Sequence, residues 1–315
     1  MTNRDQVPGV RAIGSPLTAA MLRPLEPDCW LVHFAQALAD DDYRKLSKLL
    51  EGRSTVKLRA YGDIRNLEFL KYFPQLKRFQ VDEAPELEDL VGLRFLSPDL
   101  ETLGIGARMS RPLSLRPLER FAALRTLYLE GPVKDIDVIA GLVRLEDLTL
   151  RSIAIPSLEL LTPMHDLLSL DIKLGGTKNL SHLPSIGKLR YLELWLVRGL
   201  AELSPISSVA TLQSLKLQAL RNVDRLPRMD ALAKLRRVYL ETMKGIHDPC
   251  PLAEAPALEE LFFIDMSHMK PDDFKCLVGH PSLKYAAIGL GSRKKNEAVR
   301  RILPLPDPPP RLQFR

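Results

Sequence analysis

One phrase, Leu-x-x-Leu-x-Leu or a close apolar variant of it, recurs ten times in this chain of 315 residues. The copies begin at Leu76, Leu100, Leu124, Leu145, Leu167, Leu189, Leu212, Leu235, Leu258 and Leu283. Successive starts lie 24, 24, 21, 22, 22, 23, 23, 23 and 25 residues apart. A unit this short cannot bury its own apolar face, so neighbouring units must stack and share a core. The length alone would suggest two domains. The repeat overrides that expectation, because a stack grows without needing one central core.

The spacing inside each unit says what the chain does there. One copy places apolar residues at Leu189, Leu192, Leu194, Val197, Leu200, Leu203, Ile206 and Val209. The next repeats the offsets at Leu212, Leu215, Leu217, Leu220, Val223, Leu226, Met229 and Leu232. The Leu-x-Leu step has the period of a strand, so its two side chains point the same way and the residues between them face solvent. The following period of three suits extended or 3₁₀ turns better than α-helix, whose apolar stripe needs 3.6.

Over residues 53–288 these phrases resemble the leucine-rich repeat family, in its short-repeat bacterial and phosphatase-regulator-like subclass. The resemblance implies an α/β solenoid. Its form would be a horseshoe with a parallel β-sheet on the concave face, irregular or 3₁₀ turns on the convex face, and helical end caps. It also implies protein recognition rather than catalysis. One position departs from the family pattern. Three residues after the last leucine of the phrase, where Asn, Cys or Thr usually bonds turn backbone, stand Ala84, Arg108, Pro132, Ile153, Gly175, Val197, Leu220, Met243 and Met266. Those backbone groups need other partners, and the turns are expected to be less regular for it.

Around the solenoid the chain changes character. Residues 1–27 hold four prolines and no sustained period, which reads as an irregular arm. Residues 28–52 read as a helical cap of two short helices. The first would carry Trp30, Leu31, Phe34, Ala35 and Leu38, and the second Tyr43, Leu46, Leu49 and Leu50. Ser54 to Arg59 keep strand alternation without a leading leucine, a degenerate first repeat that makes eleven strands. The segment from Lys270, with its proline and aspartates, favours a true helix. Ser292 is placed as N-cap of a closing helix within 289–303. Residues 304–315 form a proline-rich tail expected to be extended.

Composition narrows the function classes. No apolar run is long enough for a transmembrane helix, and the polar start, 1–14, lacks a secretory core. Cys29, Cys250 and Cys276 are scattered and share no short spacing, which argues against a disulfide framework or structural zinc and for a reducing, cytoplasmic home. The net charge is +6, of which residues 293–315 carry +5, so the solenoid is nearly neutral.

Candidate binding residues follow from the open positions of the phrase. Tyr191, Glu193, Trp195, Arg237, Tyr239, Glu241, Glu260 and Phe262 collect on four successive strands. Neighbouring strands lie about 4.8 Å apart, so the group spans roughly 15 Å. Exposed aromatics near arginine are the residues that dominate protein interfaces, although partial burial would explain them too. The interleaved acids suit a partner with apolar anchors ringed by basic residues. A weaker anion site is marked by Ser292, Arg293, Lys294 and Lys295 after a glycine turn, without the spacing of a P-loop. Its plain reading is a solvated helix start.

Pro306 to Arg311 matches a short Pro-x-x-Pro-x-Arg pattern, more simply a solvated tail. The histidines sit in different coils. Asp265, His268, Asp272 and Asp273 are the nearest approach to an acid–base cluster, explained as readily by capping. No catalytic fingerprint, metal site or cofactor motif is present. The expected function is a non-enzymatic scaffold for a protein partner, without a cofactor. The alternative is nucleic-acid or anionic-surface binding through the basic C-terminal end, against which the neutral solenoid argues.

Overall fold

The computed structural model describes residues 7–106 and 111–309. Arg108 of the turn series, the first six residues of the arm, and the tail from Pro310 with its Arg311 lie outside them. The chain forms two compact units, Met1–Leu145 and Glu146–Arg315.

The first unit contains β1 (Val10–Ile13), β2 (Leu31–Gln36), α1 (Asp40–Leu50), β3 (Lys57–Asp63), β4 (Arg78–Asp82), β5 (Thr102–Gly106), β6 (Leu113–Ser114), β7 (Thr126–Glu130) and β8 (Val133–Lys134). Six of these pair in parallel in the order β1-β2-β3-β4-β5-β7. The short β6 and β8 pair separately on the return path. Helix α1 starts with three aspartates, which complement the positive end of its dipole. It buries Tyr43, Leu46 and Leu50 on one stripe. Tyr43 stacks on Phe69 at 5.2 Å between ring centroids, and its hydroxyl accepts from Leu38 N at 3.0 Å.

The second unit contains β9 (Asp147–Arg151), β10 (Ser169–Lys173), β11 (Tyr191–Trp195), β12 (Ser214–Gln218), β13 (Arg237–Glu241), β14 (Glu260–Ile264), β15 (Tyr285–Ile288) and α2 (Arg293–Ile302). Its seven strands pair in parallel in chain order. Each phrase lies opposite its own copy one coil on, as in Leu170↔Leu192 and Leu192↔Leu215. The eight apolar residues that begin at Leu189 are all at most 5% exposed. Each such side chain contributes about 1.5–3 kcal/mol by leaving water. The period of three that follows each strand is realised as 3₁₀ turns, such as Ser204–Ser208 and Cys250–Glu254.

The turn leaving each strand solves the problem posed by the absent asparagines. Two residues after the last apolar residue of the phrase, the backbone takes a positive φ. This holds at Gly62, Glu83, Gly131, Ser152, Leu174, Leu196, Ala219, Thr242 and Asp265. That conformation aims an N–H at the next coil. Ser152 N donates to Lys173 O at 2.7 Å, Leu174 N to Trp195 O at 2.8 Å, Leu196 N to Gln218 O at 2.9 Å, and Ala219 N to Glu241 O at 2.9 Å. The turns are therefore regular, contrary to expectation. From Ser152 to Asp265 the φ values fall between 48° and 57°. A left-handed non-glycine residue costs about 1–2 kcal/mol, and the bond to the next coil offsets it.

Four further expectations need correction. Residues 31–36 form a strand rather than the first helix of an N-terminal cap, and β1 lies in the supposedly irregular arm. The helical spacing of Leu31, Phe34, Ala35 and Leu38 masked a strand alternation in which Val32 and Phe34 are buried while Leu31, His33 and Ala35 face outward. The sheet thus has two strands before the degenerate repeat. The segment Pro271–Leu277 is 3₁₀ rather than α-helical. Finally, Cys250 and Cys276 are joined in a disulfide, with Cα atoms 5.5 Å apart. Their separation of 26 residues is one coil, which stacking converts into direct proximity. This removes the ground on which a reducing compartment was expected. Cys29 is buried with a free thiol. Among the described residues no helix is long and apolar enough to cross a membrane.

The turn account predicts opposite effects at two equivalent positions. Gly62 has φ +70°, and a Cβ there would come 2.4 Å from Ala35 O. Gly62→Ala is expected to lower stability by about 1–3 kcal/mol. Ser152 is exposed with φ 57°. Ser152→Gly should be neutral or stabilising by up to about 1 kcal/mol. Chemical denaturation of both variants checks this, and a destabilised Ser152→Gly would contradict it.

Candidate binding site

Strand alternation in the second unit sends the leucines inward and the intervening side chains to the open face of the sheet. Along the middle of that face run Thr149, Asp171, Glu193, Lys216, Tyr239 and Phe262, each paired in register with the next. On one side stand Tyr191, Ser214, Arg237 and Glu260. On the other stand Arg151, Lys173, Trp195, Gln218 and Glu241.

Charges on this face are bound to one another. Lys173 Nζ lies 3.0 Å from Asp171 Oδ1 and 2.8 Å from Glu193 Oε2. Lys216 Nζ lies 3.0 Å from Glu193 Oε1. The Tyr191 hydroxyl donates to Glu193 Oε2 at 2.9 Å, and that of Tyr239 donates to Glu241 Oε2 at 2.9 Å. Arg237 Nε donates to Glu260 Oε2 at 3.0 Å. Asp171 and Glu193 are acids on adjacent strands, an unfavourable juxtaposition that the flanking lysines offset. Burial pushes the Glu193 carboxyl up, but the ammonium groups of Lys173 and Lys216 outweigh burial and hold it at about 2. Burial and the neighbouring Glu241 raise the Tyr239 phenol to about 12, so it stays a donor.

The network sorts the expected site residues into two kinds. Tyr191, Glu193 and Glu260 are buried within it. Trp195, Tyr239 and Phe262 remain half-buried, presenting ring surface on the open face. The Arg151 guanidinium lies 5.2 Å from the Trp195 ring, and Lys216 Nζ lies 5.2 Å from the Tyr239 ring. Tyr239 and Phe262 approach to 5.6 Å between centroids. The acids expected to greet a basic rim are occupied instead by Lys173, Lys216 and Arg237, and Tyr239 binds Glu241. Sequence reasoning left Asp171, Lys173 and Lys216 out of the site. Their spacing of one coil from Glu193 is the signal that could have found them.

The residues of the weaker anion site do not converge. Ser292 Oγ accepts from Lys295 N at 3.3 Å and caps α2. Arg293 Nε donates to Glu297 at 2.7 Å. Lys295 Nζ donates to Ser267 O at 2.6 Å and Met269 O at 3.1 Å, tying α2 to the preceding turn. Lys294 is exposed. In the Asp265–His268–Asp273 group, His268 Nε2 lies 2.7 Å from Ile246 O, and Asp273 accepts from Lys270 N at 2.7 Å. Both contacts hold turns in place.

The Glu193 network makes stability depend on pH with a definite sign. Its folded carboxyl lies below the ordinary value of 4.5, so its contribution is complete above that pH and is lost as pH falls toward about 2. Lys216→Met, which removes one partner of a buried carboxylate, is expected to cost about 1–3 kcal/mol at neutral pH and to flatten this acid limb. Denaturation curves between neutral and acid pH check it. An unchanged acid limb would show that the ion pairs do not hold Glu193.

No protein-family model and no curated protein sequence matches the chain. Solved structures do. An internalin, inlF of Listeria monocytogenes, is similar at 16% identity and a TM-score of 0.59, over 87% of this chain and 78% of that one. TLR13, solved in complex with ssRNA13, is similar at 15% identity and a TM-score of 0.51, over 87% of this chain and 48% of that one. A leucine-rich repeat protein of Leptospira interrogans, LIC12759, is similar at 13% identity and a TM-score of 0.44, over 90% of this chain and 92% of that one. At such identities the likeness concerns the fold. With ten sequence repeats, parallel strands in register and 3₁₀ returns, this chain has the leucine-rich repeat fold.

Proposed function

We infer that the chain is a non-enzymatic scaffold that binds a partner protein on the open face of its second unit, the face that is concave in the solenoid fold. The observation that carries this reading is the trio Trp195, Tyr239 and Phe262. It is half-buried on strands whose polar neighbours are already locked together. Aromatic surface held rigid before binding gives affinity with little ordering cost. Large aromatic side chains at the centre of a patch are the usual anchors of protein interfaces. Charges that cancel internally leave the aromatic surface to decide the partner. An adaptor, inhibitor or toxin-neutralising role is compatible with such a face. The basic end offers less support for nucleic-acid binding, because Arg293 and Lys295 are engaged within the protein.

The test is affinity capture followed by mass spectrometry, with the wild type beside Trp195→Ser, Tyr239→Ser and Phe262→Ser combined. Tyr191 is left intact because it supports Glu193. Each anchor is expected to contribute about 2 kcal/mol, so the variant should lose a partner that the wild type holds. A partner captured equally by both folded proteins would overturn the reading.

A further inference from the structure

The first unit carries the opposite arrangement of charge. On the open face of its sheet, β3 presents Lys57, Arg59 and Tyr61, and β4 presents Arg78, Gln80 and Asp82. The register sets Arg59 beside Gln80 and, two residues earlier, Lys57 beside Arg78. His33 on β2 flanks Arg59. Three basic side chains thus share two adjacent strands, and two of them are lateral neighbours. Like charges opposite one another destabilise a sheet.

Of these three, only Arg59 has carboxylate partners among the described residues, Asp82 and, at 4.0 Å, Glu83. Asp82 has both oxygens engaged, Oδ1 by Arg59 Nε at 2.7 Å and Oδ2 by the Gln80 amide. Lys57 Nζ reaches only the neutral Gln80 Oε1, at 3.2 Å. Neither Lys57 nor Arg78 makes an ion pair among the described residues, and Arg78 Nε is buried without a hydrogen-bond partner. His33 Nδ1 is in the same condition. Burial pushes the Lys57 ammonium down, Asp82 opposes this, and Arg78 and Arg59 add to it. Burial likewise lowers His33, with Arg59 contributing. The Arg59 guanidinium is fixed 4.6 Å from the Tyr61 ring, which holds its fork in place. The cations Lys173, Lys216 and Arg237 of the second unit are paired with carboxylates of the chain itself, whereas among the described residues Lys57 and Arg78 are not.

We propose that Lys57, Arg59 and Arg78 form a receptor for the carboxylates of an acidic segment of a partner protein. The dimensions favour this occupant. Two residues along a strand and one strand across give a patch of roughly 7 by 5 Å, which suits one or two carboxylates. A nucleic-acid track would need cations to continue along the face. The strands that follow present Thr102, Gly104 and Gly106, then Thr126, Tyr128 and Glu130. A planar guanidinium pairs a carboxylate through two parallel hydrogen bonds. The proposal goes beyond the aromatic trio and stands without it.

The test titrates the full chain with an oligoglutamate peptide at low ionic strength, by calorimetry. The wild type is compared with Lys57→Gln/Arg78→Gln and, as a control for exposed cations, with Arg44→Gln/Lys48→Gln on α1. The expected result is saturable binding that weakens about tenfold or more in the first variant and is kept in the second. The melting temperature of the first variant should be unchanged or higher, because it removes repulsion. Equal binding by wild type and Lys57→Gln/Arg78→Gln would overturn the proposal. So would loss confined to the α1 variant, or a lowered melting temperature with binding intact. Tighter binding of oligouridylate RNA than of oligoglutamate, lost in the first variant, would replace it with a nucleic-acid site. Inorganic phosphate binding there as tightly as the peptide would replace it with a small-anion site.

Discussion

A coil of this protein cannot complete its own hydrogen bonds, and everything else follows from that deficiency. At six of the turns the N–H that leaves the strand finds its acceptor on the next coil, as Leu174 does on Trp195 O and Leu196 on Gln218 O. To reach it the chain takes a left-handed conformation that a leucine or a serine enters only at a cost. Repetition makes the arrangement pay: from Ser152 to Thr242 successive coils donate in turn, and the same bond that relieves one turn fixes the register of the next. The leucines stack in register because the turns do. The side chains between them are thereby set in columns about 4.8 Å apart.

Those columns convert sequence distance into chemistry. Residues one repeat apart become lateral neighbours, so Lys216 meets Glu193 and Arg237 meets Glu260. The same rule brings Cys250 to Cys276. In the second unit the rule yields a charge network beside three half-buried aromatic rings. In the first it gathers Lys57, Arg59 and Arg78, of which only Arg59 has a carboxylate partner among the described residues. The two units therefore present different chemistry while sharing one backbone design.

The strand positions, the 3₁₀ returns and the solvent-facing columns were legible because the repeat states them ten times. Legibility failed where one copy had to be read alone. Residues 31–36 satisfy both a helical and a strand spacing, and only pairing with β1 and β3 decides between them. The turn solution was invisible because the backbone, not a side chain, takes over from the missing asparagine. Of the candidate site, the columns that carry Trp195, Tyr239 and Phe262 were legible. Tyr191 and Glu260 were misjudged as open because their burial depends on neighbours one coil away. The disulfide was missed for the same reason, since a gap of 26 residues is distant in a sequence and adjacent in a stack.

The measurement that bears most directly on the binding account is hydrogen–deuterium exchange of the chain with and without a captured partner. The account predicts that slowed exchange concentrates in peptides spanning β11, β13 and β14, where Trp195, Tyr239 and Phe262 stand. Protection confined to the 3₁₀ turns or to α2, with these strands unchanged, would contradict it.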